Sequence, residues 1–179
     1  MTSVPLYAFE GHEPKIDPSA YVHPDAVVIG AVTVGPQASI WPGAVLRGDF
    51  GRIEIGARTS IQDGTVLHTT EEWPTVVGAD CVVGHRVHLE GCVVEDRCLI
   101  GSGAVVLNRA VVRGGAVVGA AALVPEDAEI PAEHLALGVP ARARAADPAR
   151  LKAMVDYAVA EYVAAADRYR RGLRRLDPA

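Results

Sequence analysis

An aliphatic residue recurs every six positions along most of this chain, and this spacing constrains the fold more than any other feature. Strands of a β-sandwich alternate with a period of two instead. The chain has 18 Gly against two Trp, five Tyr and two Phe, a composition typical of short strands joined by tight turns. The repeat predicts an all-β solenoid whose coils have three faces and stack their repeated side chains inside. Four runs keep the six-residue step: Val22, Val28, Val34, Ile40 and Leu46; Ile55, Ile61 and Leu67; Val77, Val83 and Leu89; and Val94, Ile100, Val106, Val112, Val118 and Val124.

The end of the chain follows the spacing of an amphipathic helix. Asp147 predicts an N-cap, and Pro148 suits the first turn. We therefore expect an N-terminal extension (1–15), a solenoid domain (16–140), and a linker with a C-terminal helix (141–179) packed along the solenoid. The apolar stripe consists of Leu151, Met154, Val155, Ala158, Val159, Tyr162, Ala166, Tyr169, Leu173 and Leu176.

Composition excludes several classes of protein. A formal net charge of −5 over 179 residues gives no electrostatic footprint for nucleic acid. The uncharged stretch 26–46 contains Gly and Pro, which argue against a membrane-spanning helix, and the N-terminal sequence has no secretory pattern. We therefore expect a cytoplasmic protein. Three cysteines without CxxC spacing, Cys81, Cys92 and Cys98, predict small buried residues rather than disulfides or a cysteine zinc site.

The six-residue step breaks at three places, and chemically capable side chains adjoin each break. The intervals are nine residues after Leu46, ten after Leu67 and five after Leu89. Sites concentrate where loops leave a rigid scaffold, and imidazole and carboxylate are zinc ligands. His68 and His85 are 17 residues apart, close to one coil of 18, which predicts that they lie on one face in neighbouring coils. The candidate residues are Arg47, Asp49, Gln62, Asp63, His68, His85, His88 and Glu90.

The run SIWPGAVLRGDFGRIEIGARTSIQDGTVLH, residues 39–68, resembles the gamma-class carbonic anhydrases of the hexapeptide-repeat superfamily. The similarity continues through VVGHRVHLEGCVV, GVPARAR and EYVAAADRYR. It implies a left-handed parallel β-helix, a homotrimer, and a zinc or iron ion at each subunit interface, held by three histidines from two chains. Two of those ligands match His68 and His85. The resemblance also implies that Arg47 pairs with Asp49 across the interface.

The implied activity is the reversible hydration of CO2 to bicarbonate by a metal-bound hydroxide. A metal site with three protein ligands and an open position lowers the pKa of bound water from 15.7 to about 7. The resemblance implies that Gln62 and Asp63 orient this water. Asp63 is also suited to accept a proton or to fix the second nitrogen of a histidine ligand. Arg47 and Asp49 have two interpretations, direct catalysis or a structural salt bridge.

Three positions depart from the family pattern. Glu90 stands where the family has its third histidine, so either Glu90 or His88, two residues earlier on the same strand face, is expected to be the third ligand. Ser60 replaces an Asn of the motif. The segment after His68 is short and offers Glu71 and Glu72 as proton shuttle or as a solvated turn.

Two alternatives from other functional classes fit the same repeat. A hexapeptide acyltransferase would use a histidine base and coenzyme A, and coenzyme A binding would favour it. A non-catalytic trimer would keep the fold and the pair of Arg47 and Asp49 while the metal site drifts. A stable trimer without metal would favour this structural or assembly role. Fold alone does not decide among the three.

Overall fold

The structure is a computed structural model that describes residues 5–176. It shows a left-handed β-solenoid of about seven turns with one C-terminal helix, which confirms the predicted fold class. The predicted domain boundaries stay predictions, and the ends of the two outer segments, 1–4 and 177–179, lie outside the described residues.

Most strands are two or three residues long, as a six-residue repeat requires. The strands are β1 (Leu6–Tyr7), β2 (Lys15–Ile16), β3 (Tyr21–Val22), β4 (Val27–Val34), β5 (Ser39–Ile40), β6 (Val45–Ile55), β7 (Ser60–Ile61), β8 (Val66–His68), β9 (Thr75–Val77), β10 (Val82–Val83), β11 (His88–Glu90), β12 (Val93–Val94), β13 (Leu99–Ile100), β14 (Val105–Val106), β15 (Val111–Val112), β16 (Val117–Val118), β17 (Leu123–Val124), β18 (Glu129–Ile130), β19 (His134–Leu137) and β20 (Arg142–Ala145). The helix α1 spans Pro148–Gly172.

Parallel pairing stacks these strands into three faces. Face 1 runs through β4, β6, β8, β11, β14 and β17. Face 2 runs through β2, β4, β6, β9, β12, β15 and β18. Face 3 runs from β3 through β5, β7, β10, β13 and β16 to β19, where β20 adds an antiparallel edge. The long strands β4 and β6 turn a corner and therefore belong to both face 1 and face 2.

The inward residues of the six-residue step form one continuous core. All of them are buried except Val22, which is partly buried and packs against the same cluster. The pattern continues beyond the predicted runs to Ile130 and Ala136. Full burial of one such aliphatic side chain contributes about 1.5–3 kcal/mol, so the stack is the main source of stability. All three cysteines are free and buried, as predicted.

Helix α1 covers face 3. The Asp147 carboxylate accepts a hydrogen bond from Ala149 N–H at 3.0 Å, which confirms the N-cap. Buried helix residues Leu151, Val155 and Val159 pack against outward side chains of the strands. The prediction of the stripe was wrong in three positions: Met154 is 42% exposed, and Leu173 and Leu176 follow the end of the helix. No helix within residues 5–176 is long and apolar enough to cross a membrane.

The three breaks in the repeat have different structures. The first is not a loop, because β6 stays extended through it and the register with β4 shifts between Gly30 and Val32. The second is an inserted loop, residues 69–74, between β8 and β9. The third is a shortened turn at Gly91 between β11 and β12. The second and third breaks lie at one corner, where face 1 meets face 2.

Candidate functional site

The corner of face 1 brings together residues from three strands. Strand pairing aligns Arg47 of β6 with His68 of β8, and His68 with Glu90 of β11. Asp49 follows Arg47 by two positions, so both side chains project from the same side of β6. His88 lies two positions before Glu90 for the same reason. The sequence prediction that His88 and Glu90 share a strand face is confirmed by a contact of 3.1 Å between His88 Nε2 and Glu90 Oε2.

His68 is held between two carboxylates. Its Nε2 lies 3.1 Å from Asp49 Oδ1, and its Nδ1 lies 3.1 Å from Glu90 Oε1. The side chain is only 13% exposed. Both ring nitrogens of His68 are therefore engaged by carboxylate oxygens, and neither is open to a reacting group.

Hydrogen bonds favour the ionised forms of Glu90 and Asp49. Burial raises the pKa of Glu90, but hydrogen bonds from His68 and His88 outweigh it, and the pKa lies below its usual value. Burial likewise raises the pKa of Asp49, and hydrogen bonds from Arg47 and His68 outweigh it, so this pKa is also lowered. Arg47, Asp49, His68 and Glu90 thus form one continuous series of side-chain hydrogen bonds.

His85 lies in a different place, at the corner between face 3 and face 1. Its Nδ1 is 2.9 Å from Asp63 Oδ2 in the turn of the preceding coil. Both side chains are about half exposed, 49% and 48%. Among residues 5–176 no hydrogen-bond partner meets Nε2 of His85. A carboxylate at Nδ1 fixes the tautomer that leaves the Nε2 lone pair free, which is the arrangement of both general bases and metal ligands.

The prediction that His68 and His85 stack in neighbouring coils was wrong. His68 pairs with Glu90, and His85 lies next to Asp63, each 22 residues apart. This coil is longer than 18 residues because loop 69–74 lies within it. Counting six residues per face therefore put His85 over the wrong residue.

The other predicted residues are placed as follows. Gln62 is buried, 3% exposed, beside Asp63. Arg47 Nη1 bonds to Asp49 Oδ2 within the chain, whereas the resemblance implies a pair across an interface. Within residues 5–176 no group of three or more His, Cys, Asp or Glu is arranged to hold a metal ion. A metal site made by one chain is therefore absent from the described residues.

Sequence reasoning missed two residues near these groups. Tyr162 of α1 has its pKa raised by burial and by the nearby negative charge of Asp63, so the helix reaches the His85 corner. Phe50, 58% exposed, places its ring centroid 5.8 Å from that of His68. No local signal identifies either one, since Tyr162 fits the apolar stripe and Phe50 lies inside β6.

A cavity of about 540 Å³ opens beside His68. Phe50, Glu71, Glu72 and Trp73 line it together with His68 and Glu90. The loop that forms its wall is held by Thr69 Oγ1, which donates to the Trp73 carbonyl at 2.8 Å, and by the Trp73 ring, which lies 4.3 Å from the Arg109 guanidinium carbon. The assignment of Glu71 and Glu72 as proton shuttle stays a prediction.

Comparison with known proteins gives consistent matches. A family model described as bacterial transferase hexapeptide (six repeats) matches residues 74–108. The carnitine operon protein CaiE of Escherichia coli is 45% identical over 98 residues, which are 55% of this chain and 50% of CaiE. The chain thus spans about half the length of the curated relatives it matches.

Two solved structures match along nearly their whole length. A Bacillus cereus protein provisionally described as an acetyltransferase is 33% identical with a TM-score of 0.92, over 94% of this chain and 98% of that one. A hexapeptide transferase family protein from Anaplasma phagocytophilum is 33% identical with a TM-score of 0.89, over 94% and 99%. Perosamine N-acetyltransferase from Caulobacter crescentus, a histidine variant in complex with CoA and GDP-perosamine, is 26% identical with a TM-score of 0.54, over 74% and 57%.

The family model and the three solved structures are described as transferases, and none of these four descriptions names a lyase or a metal. They favour the acyltransferase alternative over CO2 hydration.

Proposed function

Because the chain belongs to the hexapeptide-repeat superfamily, we propose that it is an acyltransferase in which His85 is the general base. The donor is an acyl-coenzyme A, and the acceptor carries an amine or a hydroxyl. One observation carries the proposal: His85 is oriented by Asp63 at 2.9 Å and presents a free Nε2 on an exposed corner.

In the proposed reaction His85 moves the proton and Asp63 orients His85. The acceptor nitrogen or oxygen attacks the thioester carbonyl carbon and gives its proton to Nε2 of His85. The new C–N or C–O bond forms, the C–S bond breaks, and the proton passes from His85 to the departing thiolate. Asp63 accepts the hydrogen bond from Nδ1–H, which fixes the ring and stabilises the imidazolium. General base catalysis of this kind accounts for about 10²–10⁴-fold in rate.

His68 is a poorer base than His85. Both of its nitrogens face carboxylates and its side chain is nearly buried, so neither nitrogen is open to an acceptor. His85 has one engaged and one free nitrogen. The full-length relatives described as transferases, and a more distant one solved with CoA, support acyl transfer as the class of reaction.

The test uses the full chain with acetyl-CoA. Calorimetry measures CoA binding, and a thiol reagent measures CoA released from acetyl-CoA with nucleotide-linked amino sugars and simple amines as acceptors. We expect CoA to bind and thiol release to depend on an acceptor and on His85. A wild-type protein that neither binds CoA nor releases thiol would exclude acyl transfer.

The second candidate is metal-dependent hydration of CO2, because His68, His88 and Glu90 are zinc-ligand types that lie together at one corner. In this candidate one carboxylate contact of His68 gives way to the ion. The described residues of one chain do not make a three-ligand site. The candidate therefore needs His68 and either Glu90 or His88 from one chain and His85 from another, in a homotrimer. A bound zinc or ferrous ion would supply a Lewis acid that makes water acidic enough to ionise near neutral pH. Gln62 and Asp63 would then orient the water.

Elemental analysis tests this candidate without an activity assay. The protein is purified without chelator or affinity tag, beside Glu90→Ala, His88→Ala and Glu90→His. This candidate predicts about one zinc or iron per subunit that is lost in one alanine variant and is held more tightly in Glu90→His, because three imidazoles suit zinc. Wild-type protein that takes up neither added zinc nor anaerobic iron would exclude hydration.

The hydration candidate places the site between copies of the chain, and proteins of this superfamily commonly form trimers. Face 1 is the surface we assign to that contact. Helix α1 covers face 3, whereas face 1 keeps an outward row of Val45, Val66, His88, Val105 and Leu123 across five paired strands. Val66 in this row is 37% exposed. His85 lies at one edge of face 1 and His68 at the other, so a threefold assembly through this face would bring the two edges of neighbouring chains together.

A further inference from the structure

Three fully buried threonines, Thr59, Thr65 and Thr75, link backbone segments inside the solenoid. Each hydroxyl donates to one carbonyl and accepts from one backbone N–H. Thr59 joins Gly78 and Cys81, and Thr65 joins Gly84 and Val87, so both link a coil to the next one. Buried hydroxyls of this kind satisfy backbone groups that would otherwise be orphaned. The three side chains are therefore chemically equivalent.

Thr75 differs in what it joins. Its Oγ1 donates to the His68 carbonyl at 2.5 Å and accepts from Gly91 N–H at 2.8 Å. His68 is the last residue of β8, and Gly91 directly follows Glu90, the last residue of β11. The Thr75 side chain thus holds the carbonyl of His68 and the N–H group that follows Glu90, and these are the backbone positions next to the His68 imidazole and the Glu90 carboxylate.

The strand ladder pairs His68 with Glu90 and goes no further. Pairing between β8 and β11 ends at His68 and Glu90, because loop 69–74 leaves the solenoid there. Gly91 follows in the left-handed conformation, with φ +55°, and a Cβ at this position would lie 2.2 Å from Asn108 Oδ1, so the turn requires glycine. The Thr75 hydroxyl links the two strands one step beyond the end of their pairing.

We propose that Thr75 is a positioning residue for the pair of His68 and Glu90. Its two hydrogen bonds hold the strand ends so that His68 Nδ1 stays 3.1 Å from Glu90 Oε1. The contact between His68 and Glu90 exists within one chain, so the positioning role of Thr75 does not depend on the proposed function. Only the effect of Thr75 on turnover rests on it, through the second candidate, CO2 hydration.

The test compares Thr75→Val with Thr59→Val in the full chain. Both remove one buried hydroxyl of the same type, but only Thr75 reaches His68. The readout is the pair of ring-nitrogen chemical shifts of His68, measured by NMR at one fixed neutral pH. We expect Thr75→Val to shift these signals and to speed amide exchange at Gly91. Thr59→Val should lower the melting temperature by a similar amount and leave the His68 signals in place, and Thr75→Ser should restore them.

Three results would overturn the assignment: unchanged His68 signals in Thr75→Val, an equal shift in Thr59→Val, or an equal shift in Thr75→Ser. If Thr75→Val does not fold, Thr75→Cys replaces it, because a thiol forms weaker hydrogen bonds than a hydroxyl, and Thr59→Cys, which loses the same γ-methyl group, becomes the control. A protein that neither transfers an acyl group nor takes up metal would refute the proposed function. The His68 chemical shifts would still show whether Thr75 positions His68. The two failures are therefore distinguishable.

Discussion

Replacing Asp63 with Asn separates catalysis from stability at the His85 corner. Asp63→Asn keeps the size of the side chain but removes the charge that faces Nδ1 of His85 at 2.9 Å. The amide either accepts more weakly or turns its NH2 toward the ring and selects the other tautomer. Either result weakens Nε2 as a base. We expect acceptor-dependent thiol release from acetyl-CoA to fall by about 10²–10⁴-fold.

The same substitution should hardly change stability. Both side chains are about half exposed, at 49% and 48%. Exposed ion pairs contribute about 0–1 kcal/mol to the free energy of unfolding. For a domain of this size 1 kcal/mol corresponds to a change of about 2–4 °C in melting temperature. A large loss of rate with a small change in melting temperature is therefore the expected signature.

Asp80→Asn is the matched control. Asp80 Oδ1 accepts from Arg58 Nε at 2.7 Å in a part-exposed ion pair between the same two coils, but at the corner where face 2 meets face 3. It should keep the wild-type rate. The double variant Asp63→Asn with His85→Asn should be no slower than His85→Asn alone, because the carboxylate acts only through the ring. Wild-type rates in Asp63→Asn, equal losses in Asp80→Asn, or additive losses in the double variant would each refute the reasoning.

Three further predictions concern the scaffold. Ile61→Ala removes a fully buried core side chain and should lower the free energy of unfolding by about 2–5 kcal/mol in guanidinium titrations, whereas Val139→Ala, at a position 70% exposed, should lower it little. A side-chain hydrogen bond from Arg113 and a backbone hydrogen bond from Gly114 N–H lower the pKa of Glu95. The ionised Glu95 therefore stabilises the fold fully above the usual value of 4.5, and this contribution is lost as the pH falls through the folded-state pKa. Glu95→Gln should flatten the acid side of a plot of melting temperature against pH. Val66→Arg, on the outward row of face 1, should convert a trimer into a monomer in sedimentation velocity, whereas Val139→Arg should stay trimeric. A monomeric wild type or a trimeric Val66→Arg would contradict the assignment of face 1.

The core was predictable because each coil contributes inward aliphatic residues at a fixed step. Ile61, Val83 and Ile100 are 22 and 17 residues apart, yet all three are fully buried and paired across face 3. Burial requires an apolar residue at each of these positions, so the pattern survives insertions between runs. The helix start was predictable for a similar local reason, since the Asp147 side chain and Pro148 satisfy the first turn. The helix end was not, because Leu173 continues the apolar spacing after the helix has stopped at Gly172.

The arrangement of the candidate site residues was not predictable from the sequence. The breaks in the repeat pointed to His68, His85 and Glu90, but the pairing of these residues depends on how many residues one coil contains. Loop 69–74 lengthens that coil to 22 residues, and this number cannot be obtained from an ideal repeat of 18. The hydroxyl of Thr75 has no sequence signal at all, since threonine is common in strands and its role follows from two backbone partners.

The arrangement also decides what a single substitution can reveal. Both candidate functions use His85, as base in acyl transfer and as ligand in hydration, so a loss of activity in His85→Asn supports neither over the other. Metal content does distinguish them, because acyl transfer through a free Nε2 requires that no ion occupies this nitrogen, whereas hydration requires that one does. Zinc or iron bound in proportion to subunits and lost in His85→Asn would therefore exclude His85 as the base even if CoA binds. Metal-free protein that releases thiol in a manner dependent on Asp63 would exclude the metal instead.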